Sequence, residues 1–251
     1  MAIIEVRELV KRYGDFTAVK GISFEVQEGA IFCVVGPNGA GKTTTLEILE
    51  TLKDPTAGTV LIDGYDVVKS PWQVKRRIGV QLQAAGFYPS LNLRELLQLF
   101  AGLYDVQIDA LAMLRKVQLA DKANARYDKL SGGQKQRFSI ASTLVNQPRV
   151  VFLDEPSTGL DPQARLHLWD LVRQIQQEGI TVVLTTHYME EAEQLADQVA
   201  IMDEGQIVAR GAPDTLIDAL LARGFTKPEV VKLASLEDVF LDLTGKQLRD
   251  D

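Results

Sequence analysis

A glycine-rich loop is the first segment of the chain whose residue types suggest chemistry. Residues 36–43 read GPNGAGKT and follow the apolar run AIFCVV. The three glycines permit backbone angles that turn successive N–H groups towards one anion, and a helix that begins there adds the positive end of its dipole. The pattern therefore predicts a nucleotide phosphate site made of Gly36, Pro37, Asn38, Gly39, Ala40, Gly41, Lys42, Thr43 and Thr44.

Charged and hydroxyl side chains around this loop indicate ATP and Mg²⁺ as ligands. Lys42 is expected to place a cation on the β- and γ-phosphates, and the Thr43 hydroxyl is expected to ligate Mg²⁺. A second apolar run, VVFLD, ends in Asp154 and is followed by Glu155. We expect Asp154 to hold the metal through its water shell and Glu155 to act as general base on the attacking water. Carboxylates at strand ends are commonly just solvated. The Asp154–Glu155 pair therefore indicates a nucleotide site only in combination with the phosphate loop.

The segment LSGGQ at residues 130–134 distinguishes this chain from other phosphate-loop proteins. A phosphate loop with a strand carboxylate also fits kinases, GTPases and helicases. Here Ser131 precedes a helical pattern that it can cap. The free N–H groups at the start of this helix, together with those of Gly132 and Gly133, are expected to form a second anion site. Together with Gln134, the pentapeptide resembles the signature of the ATP-binding-cassette family. The resemblance implies a head-to-tail dimer, for which two identical copies suffice, with each signature closing over the ATP of the other copy.

Two further assignments come from this resemblance alone. Gln83, at the end of IGVQLQ, resembles the glutamine that joins the two subdomains and senses Mg²⁺, with Gln81 as a near alternative. Tyr13 resembles the aromatic residue that stacks on adenine, with Phe16 as the alternative.

The resemblance also completes the expected hydrolytic set. Asp161, in STGLD, resembles the key acid of the loop that crosses the dimer interface. His187 follows the apolar run VVLTT and matches the histidine that contacts the γ-phosphate. The expected catalytic residues are therefore Glu155, His187 and Lys42.

Apolar periodicity predicts the elements that position these residues. Buried strands alternate with helices over much of the chain, which indicates a mostly parallel sheet. We predict an α/β P-loop NTPase with this core sheet, an N-terminal antiparallel β subdomain and an α-helical subdomain inserted at about 84–146. The predicted ATPase domain covers 1–204, and 205–251 form a small C-terminal extension packed on the body.

Composition limits the partners that we expect. The formal net charge of -7 argues against nucleic acid, because phosphate neutralisation needs clustered Lys and Arg. No stretch approaches the roughly 20 apolar residues of a membrane span, so direct membrane insertion is not expected. Cys33 is the only cysteine, which leaves no internal disulfide. The resemblance implies a location at the cytoplasmic face of the cell membrane, held there by separate transmembrane permease subunits.

Short strings at both ends of the chain narrow the resemblance. KRYGDFTAV and SLEDVFLDLTGKQLRD resemble the branch that includes daunorubicin-resistance drug exporters. The implied function is ATP-driven export of drugs, lipids or polysaccharides through dimer closure, and the alternative is a soluble cassette ATPase that switches a cytosolic partner. Permease docking is expected near Gln83, where Phe87, Tyr88 and Pro89 either shape the docking surface or pack the subdomain junction.

Overall fold

The computed structural model describes residues 1–81 and 86–226, and the chain divides into two compact units, 1–216 and 217–251. The first unit contains two β-sheets and most of the helices. Within the described residues, none of the helices combines the length and the apolar character that crossing a membrane requires.

An antiparallel sheet of four strands forms the N-terminal part of the first unit. Apolar and polar residues alternate along its long strands, so one face is buried and the other contacts solvent. The strands lie in the order β2-β1-β4-β5 and comprise β1 (Ala2–Tyr13), β2 (Phe16–Gln27), β4 (Ala57–Ile62) and β5 (Tyr65–Asp66).

Among the described residues, the central sheet has six strands in the order β10-β9-β3-β8-β7-β6, and only the β9–β10 pair is antiparallel. Side chains of its inner strands alternate between two separate cores: Phe32 and Val34 pack in one, Cys33 and Val35 in the other. Burial on both faces explains why these strands read as continuous apolar runs. The strands are β3 (Ile31–Val35), β6 (Ile78–Gln81), β7 (Val150–Asp154), β8 (Thr181–Thr186), β9 (Gln198–Asp203) and β10 (Gln206–Gly211).

Helices cover the central sheet and form a block between β6 and β7. The block consists of α3 (Leu93–Tyr104), α4 (Ala110–Lys116) and α5 (Gly132–Thr143), with 3-10 turns at Ala120–Lys122 and Tyr127–Lys129. A capping box between Asn92 and Glu95 starts α3. The other helices are α1 (Lys42–Leu49), α2 (Pro71–Lys75), α6 (Pro162–Gln177), α7 (Met189–Leu195) and α8 (Pro213–Leu221).

The predicted fold class is confirmed: a parallel-rich core sheet, an N-terminal antiparallel sheet and a helical block are all present. Helix α1 ends at Leu49. Thr51 adopts a left-handed φ of 61°, which an α-helix does not accommodate. The domain limits proposed from the sequence remain predictions, and SLEDVFLDLTG lies outside the described residues.

Candidate functional site

The loop at residues 36–41 connects the buried strand β3 to the start of α1. Glycine is required at two of its positions by close backbone neighbours. A Cβ at Gly36 would lie 2.0 Å from the Met202 carbonyl oxygen, and one at Gly41 would lie 2.6 Å from the Ala18 carbonyl oxygen. Gly41 also has a left-handed φ of 98° and caps α1. The backbone of neighbouring strands therefore fixes the loop conformation, in addition to the loop's own residues. The first N–H groups of α1 remain available to bind an anion.

Lys42 is buried at the beginning of α1, where its ammonium group has a fixed position. Its Nζ donates to the carbonyl oxygens of Gly36, at 2.9 Å, and Pro37, at 3.1 Å. The same nitrogen lies 3.8 Å from Oε1 of Glu155. A cation is thus held beside the loop before any phosphate binds.

Asp154 ends β7 and lies against the loop. Its carboxylate accepts hydrogen bonds from the hydroxyl of Thr185 and from that of Thr43, the latter at 3.5 Å. Burial raises the pKa of Asp154, and the negative charge of Glu155 adds to the rise, although the two hydroxyls and Lys42 oppose it. A buried carboxylate beside a hydroxyl oxygen matches the oxygen donors that Mg²⁺ prefers, and a dication there would relieve the cost of burying the charge. These residues fit Mg²⁺.

Glu155 lies between a lysine and a histidine. Its backbone adopts a left-handed φ of 46°, and its N–H donates to the Thr185 hydroxyl at 3.0 Å. One carboxylate oxygen faces Lys42, while the other lies 3.3 Å from Nδ1 of His187 and accepts a hydrogen bond from Thr158 at 3.3 Å. The strained backbone turns this carboxylate out of the sheet edge and into the site. The three predicted catalytic side chains are therefore brought together.

A cavity of about 440 Å³ opens beside the loop. Its lining combines loop residues with Glu155 and with two exposed aromatic side chains, Tyr13 and Phe16. The Tyr13 ring also has the ammonium groups of Lys11 and Lys53 at 5.3 and 5.4 Å from its centre. Both aromatic residues line the cavity, so the structure leaves both alternatives for adenine stacking open. The loop residues in the lining are Asn38, Gly39, Gly41, Lys42, Thr43 and Thr44.

The LSGGQ segment begins α5 with a reciprocal cap. Ser131 Oγ accepts from the Gln134 N–H at 3.3 Å, and Gln134 Oε1 accepts from the Ser131 N–H at 3.0 Å. The predicted capping by Ser131 is thus confirmed. Asp161 caps α6 with a single hydrogen bond, which its side chain accepts from the Ala164 N–H at 2.9 Å.

These two helix starts line a second cavity, of about 480 Å³, which contains Ser131, Gly132, Gly133, Gln134 and Asp161. None of the described residues lines both this cavity and the one beside the phosphate loop. Within one chain, the two predicted anion sites therefore have separate linings.

The structure describes the segment after β6 from residue 86 onwards. Gln83 lies outside the described residues; Gln81 is buried, and its Oε1 has no hydrogen-bond partner among them. Phe87 packs into the helical block, its ring centre 4.4 Å from that of Tyr127 and 5.1 Å from that of Phe138. Tyr88 is exposed. The two alternatives for these three residues were packing at the subdomain junction and permease docking. Phe87 packs inside the helical block, whereas Tyr88 and Pro89 are exposed and remain candidates for docking.

Glu50 is a polar residue that sequence reasoning missed. It follows α1, is 3% exposed, and its Oε1 has no hydrogen-bond partner among the described residues. Burial raises the pKa of Glu50 to about 8, and the charges of Asp154 and Glu47 contribute. Helical spacing places Glu50 on the same face as Leu46, four residues earlier, but this spacing alone does not predict that a carboxylate at the helix end is buried.

The raised pKa of Glu50 makes stability depend on pH. Because the folded chain retains a proton that the unfolded chain loses above about pH 4.5, the free energy of unfolding should fall as pH rises from about 5 to 8. Glu50→Gln cannot ionise, so we expect the variant to lie close to the wild type near pH 5 and to exceed it at pH 8 by on the order of 4 kcal/mol. Urea unfolding at both pH values measures this. The exposed Glu25→Gln is the control, and equal pH dependence in wild type and Glu50→Gln would refute the assignment.

More than half of the chain matches a known protein family. Residues 19–158 match the family model described as ABC transporter. The chain belongs to this ATP-binding-cassette family, as its signature segment indicated, and it is an ATP-hydrolysing nucleotide-binding subunit.

Two relatives are similar along most of the chain. The Nod factor export ATP-binding protein I of Burkholderia orbicola (strain AU 1054) is 36% identical, over 100% of this chain and 99% of the relative. The daunorubicin resistance ATP-binding protein DrrA3 of Streptomyces coeruleorubidus is 40% identical, over 95% of this chain and 79% of the relative. The predicted resemblance to the daunorubicin-resistance branch is therefore confirmed.

Solved structures of cassettes share the fold. The cbiO1 protein of Clostridium perfringens, part of the ABC transporter complex cbiONQ, is 27% identical with a TM-score of 0.77, over 89% of this chain and 94% of that one. A dimeric ATP-binding cassette in a post-hydrolysis state, bound to ADP and phosphate, is also 27% identical with a TM-score of 0.75, over 83% of this chain and 98% of that one.

Proposed function

We propose that this chain is the ATP-hydrolysing subunit of an exporter of drugs, lipids or polysaccharides, and that it drives separate transmembrane permease subunits through closure of a cassette dimer. The observation that carries the proposal is the Glu155 carboxylate, which lies between the Lys42 ammonium and His187 beside a phosphate loop. The names of the relatives, Nod factor export and daunorubicin resistance, support export over a soluble switch acting on a cytosolic partner.

ATP is bound by the loop and by the cavity beside it. The N–H groups at the start of α1 and the Lys42 ammonium receive the β- and γ-phosphates. Tyr13, or Phe16 in its place, stacks on the adenine from the cavity wall. The residues from Gly36 to Thr44 provide the rest of the phosphate contacts.

Thr43 and Asp154 would hold Mg²⁺, and Gln83, which follows β6 in the sequence, would be a third ligand. The two described oxygens already lie 3.5 Å apart. The metal, when bound, neutralises charge on the β- and γ-phosphates. The Thr185 hydroxyl donates a hydrogen bond to the Asp154 carboxylate. Thr185 therefore orients this metal ligand.

Hydrolysis uses the carboxylate of Glu155 as the base. It accepts a proton from the water that attacks the γ-phosphorus, so that the P–O bond to ADP breaks and phosphate leaves. Lys42 stabilises the charge that develops on the transferred group. His187, with Nδ1 at 3.3 Å from the Glu155 carboxylate, keeps that carboxylate oriented and contacts the γ-phosphate.

Two copies are needed to complete each site. The separate linings of the two cavities support a head-to-tail pair in which Ser131, Gly132, Gly133 and Gln134 of one copy close over the ATP held by the other. Asp161 contributes from the same signature cavity. We propose a homodimer, because every position of the hydrolytic set is present in this chain.

The dimer acts on permease subunits at the cytoplasmic face of the cell membrane, to which it attaches as a peripheral protein. The support is its family and the transporter complex of which the cbiO1 protein is a part. The chain itself is not inserted into the membrane and has no nucleic-acid partner, in keeping with its formal net charge of -7.

Adenine stacking distinguishes the two aromatic residues. Because stacking of a base on an aromatic side chain is worth about 1–3 kcal/mol, Tyr13→Ala should weaken ATP binding by roughly 10-fold. Phe16→Ala should weaken it less than about 2-fold if Tyr13 is the stacking residue. Equilibrium titration with a fluorescent ATP analogue measures both, and the reverse order would transfer the role to Phe16.

Formation of the ATP-bound dimer tests the proposal. Purified Glu155→Gln protein should change from a 27.7 kDa monomer to a dimer with two ATP when ATP and Mg²⁺ are added, as measured by native mass spectrometry. Adding Ser131→Arg should abolish this dimer without affecting ATP binding to the monomer, because the large cation blocks the signature cavity. Ser90→Arg, at an exposed position outside both cavities, is the control. A dimer that persists with Ser131→Arg would contradict the head-to-tail arrangement.

A further inference from the structure

Glu191 is an acidic residue on α7 that is 0% exposed. It lines neither the cavity beside the phosphate loop nor the signature cavity, and the steps of hydrolysis described above do not use it. Burying a carboxylate is costly unless hydrogen bonds compensate for the lost water. The contacts of Glu191 therefore indicate what this carboxylate holds in place.

Two buried side chains from different segments donate to the Glu191 carboxylate. The Ser157 hydroxyl donates to Oε2 at 3.0 Å, and the Trp169 indole N–H donates to Oε1, also at 3.0 Å. Ser157 belongs to the loop between β7 and α6, whereas Trp169 lies on α6. Hydrogen bonds to a charged acceptor are stronger than those between neutral groups. Glu191 thus joins the loop, α6 and α7 at one buried point.

The bond from Ser157 fixes the loop two residues after Glu155. Glu155 has a left-handed φ of 46°, and a strained backbone of this kind persists only where its surroundings hold it. On the strand side, the Glu155 N–H donates to Thr185; on the loop side, the chain is fixed at Ser157. The next residue, Thr158, donates its hydroxyl to the Glu155 carboxylate at 3.3 Å. The Ser157 bond therefore constrains both the backbone of Glu155 and a donor to its carboxylate.

Helix α7 connects the same bond to His187. This histidine comes four residues before Glu191, and its Nδ1 lies 3.3 Å from the Glu155 carboxylate. Between them, the Tyr188 N–H donates to the Thr186 hydroxyl at 3.0 Å, which fixes the chain just before α7 begins. Glu155 and His187 therefore lie on two segments that the hydrogen bond between Ser157 and Glu191 joins directly.

We propose that Glu191 is a positioning residue of the ATPase site: through Ser157 it holds the loop so that the Glu155 carboxylate stays beside His187 and directed at the attacking water. This inference rests on the proposed function, in which Glu155 is the base. Misplacing a reacting group by about 1 Å can cost roughly 100-fold in rate, so partial release of the loop should cost roughly 10-fold. The bond from Trp169 joins two helices without reaching the loop, and it contributes to stability.

The test changes one donor at a time in the full chain, because removing Glu191 itself would leave two buried donors unpaired. Ser157→Ala should lower kcat for ATP hydrolysis roughly 10-fold and leave KM within about 2-fold, since the phosphate loop is untouched. Trp169→Phe is the matched control: it removes the other hydrogen bond to the same carboxylate and should leave kcat within about 2-fold of the wild type. Its midpoint of urea unfolding should nevertheless fall at least as far as that of Ser157→Ala. An unchanged kcat for Ser157→Ala, or an equal loss in both variants, would overturn the proposal.

A double variant tests whether Ser157 acts through the base. Adding Ser157→Ala to Glu155→Gln should lower turnover by less than about a further 2-fold, because no base is left to position. A further loss of roughly 10-fold would show that Ser157 acts on another part of the site, and would overturn the proposal. If the wild type hydrolyses ATP no faster than Glu155→Gln does, the proposed function fails at the base, and the inference fails with it.

Discussion

Glu155→Gln should lower ATP turnover by roughly 100- to 1000-fold while ATP remains bound, because a general base contributes about this much. The amide has nearly the size of the carboxylate but cannot accept the proton of the attacking water. The Lys42 ammonium keeps its hydrogen bonds to the Gly36 and Pro37 carbonyl oxygens, so the phosphate site itself is unchanged. Phosphate release under saturating ATP measures turnover, and a nucleotide filter assay measures binding.

A control on α7 separates charge from chemistry. Glu190→Gln removes the same charge at an exposed position three residues after His187 and should leave turnover within about 2-fold of the wild type. The general-base assignment is wrong if Glu155→Gln hydrolyses ATP as fast as this control does.

Lys42→Ala should weaken ATP binding by roughly 100-fold and thereby remove hydrolysis as well. The charge-assisted contacts of the ammonium with the β- and γ-phosphates are lost, and contacts of this kind are worth about 1.5–3 kcal/mol each. Isothermal titration with ATP and Mg²⁺ measures the loss, and it should be smaller for adenosine, which has no phosphate.

The loop itself needs a separate control, because Lys42 also donates to two loop carbonyls. An unfolding midpoint close to that of the wild type shows that the variant is folded. Lys69→Ala removes a positive charge from an exposed side chain and should leave the Kd for ATP unchanged. A Kd for Lys42→Ala within about 2-fold of that control would show that the phosphates are held by other groups.

Local sequence rules predicted the parts of the site that depend on neighbours within one turn. The capping of α5 by Ser131 involves residues three positions apart, and the start of α1 at Lys42 follows from the glycine-rich loop. The sequence also predicted that the loop needs glycines for their backbone freedom. The other cause of the glycine requirement, the carbonyl oxygens of Met202 and Ala18 against Gly36 and Gly41, depends on strands distant in sequence and could not be deduced locally.

The environments of Phe87 and Glu50 could not be predicted from the sequence. Phe87 was a candidate for permease docking, but its ring packs against Tyr127 and Phe138, about 40 and 50 positions later in the chain. Glu50 was overlooked because an acidic residue at a helix end is ordinarily solvated, and its burial arises where the end of α1 meets β6 and two helices of the inserted block. Both outcomes depend on contacts between elements that periodicity does not reveal.

The most direct test of the central claim is the recovery of a membrane partner. Tagged Glu155→Gln protein is expressed in its native host, the membranes are solubilised with ATP and Mg²⁺, and the proteins that co-purify are identified and quantified. We predict a multi-helix membrane protein in an amount comparable to the chain, and its loss when Lys42→Ala replaces Glu155→Gln. Recovery of soluble partners alone, with the chain absent from the membranes, would contradict the account and favour a cassette ATPase that switches a cytosolic partner.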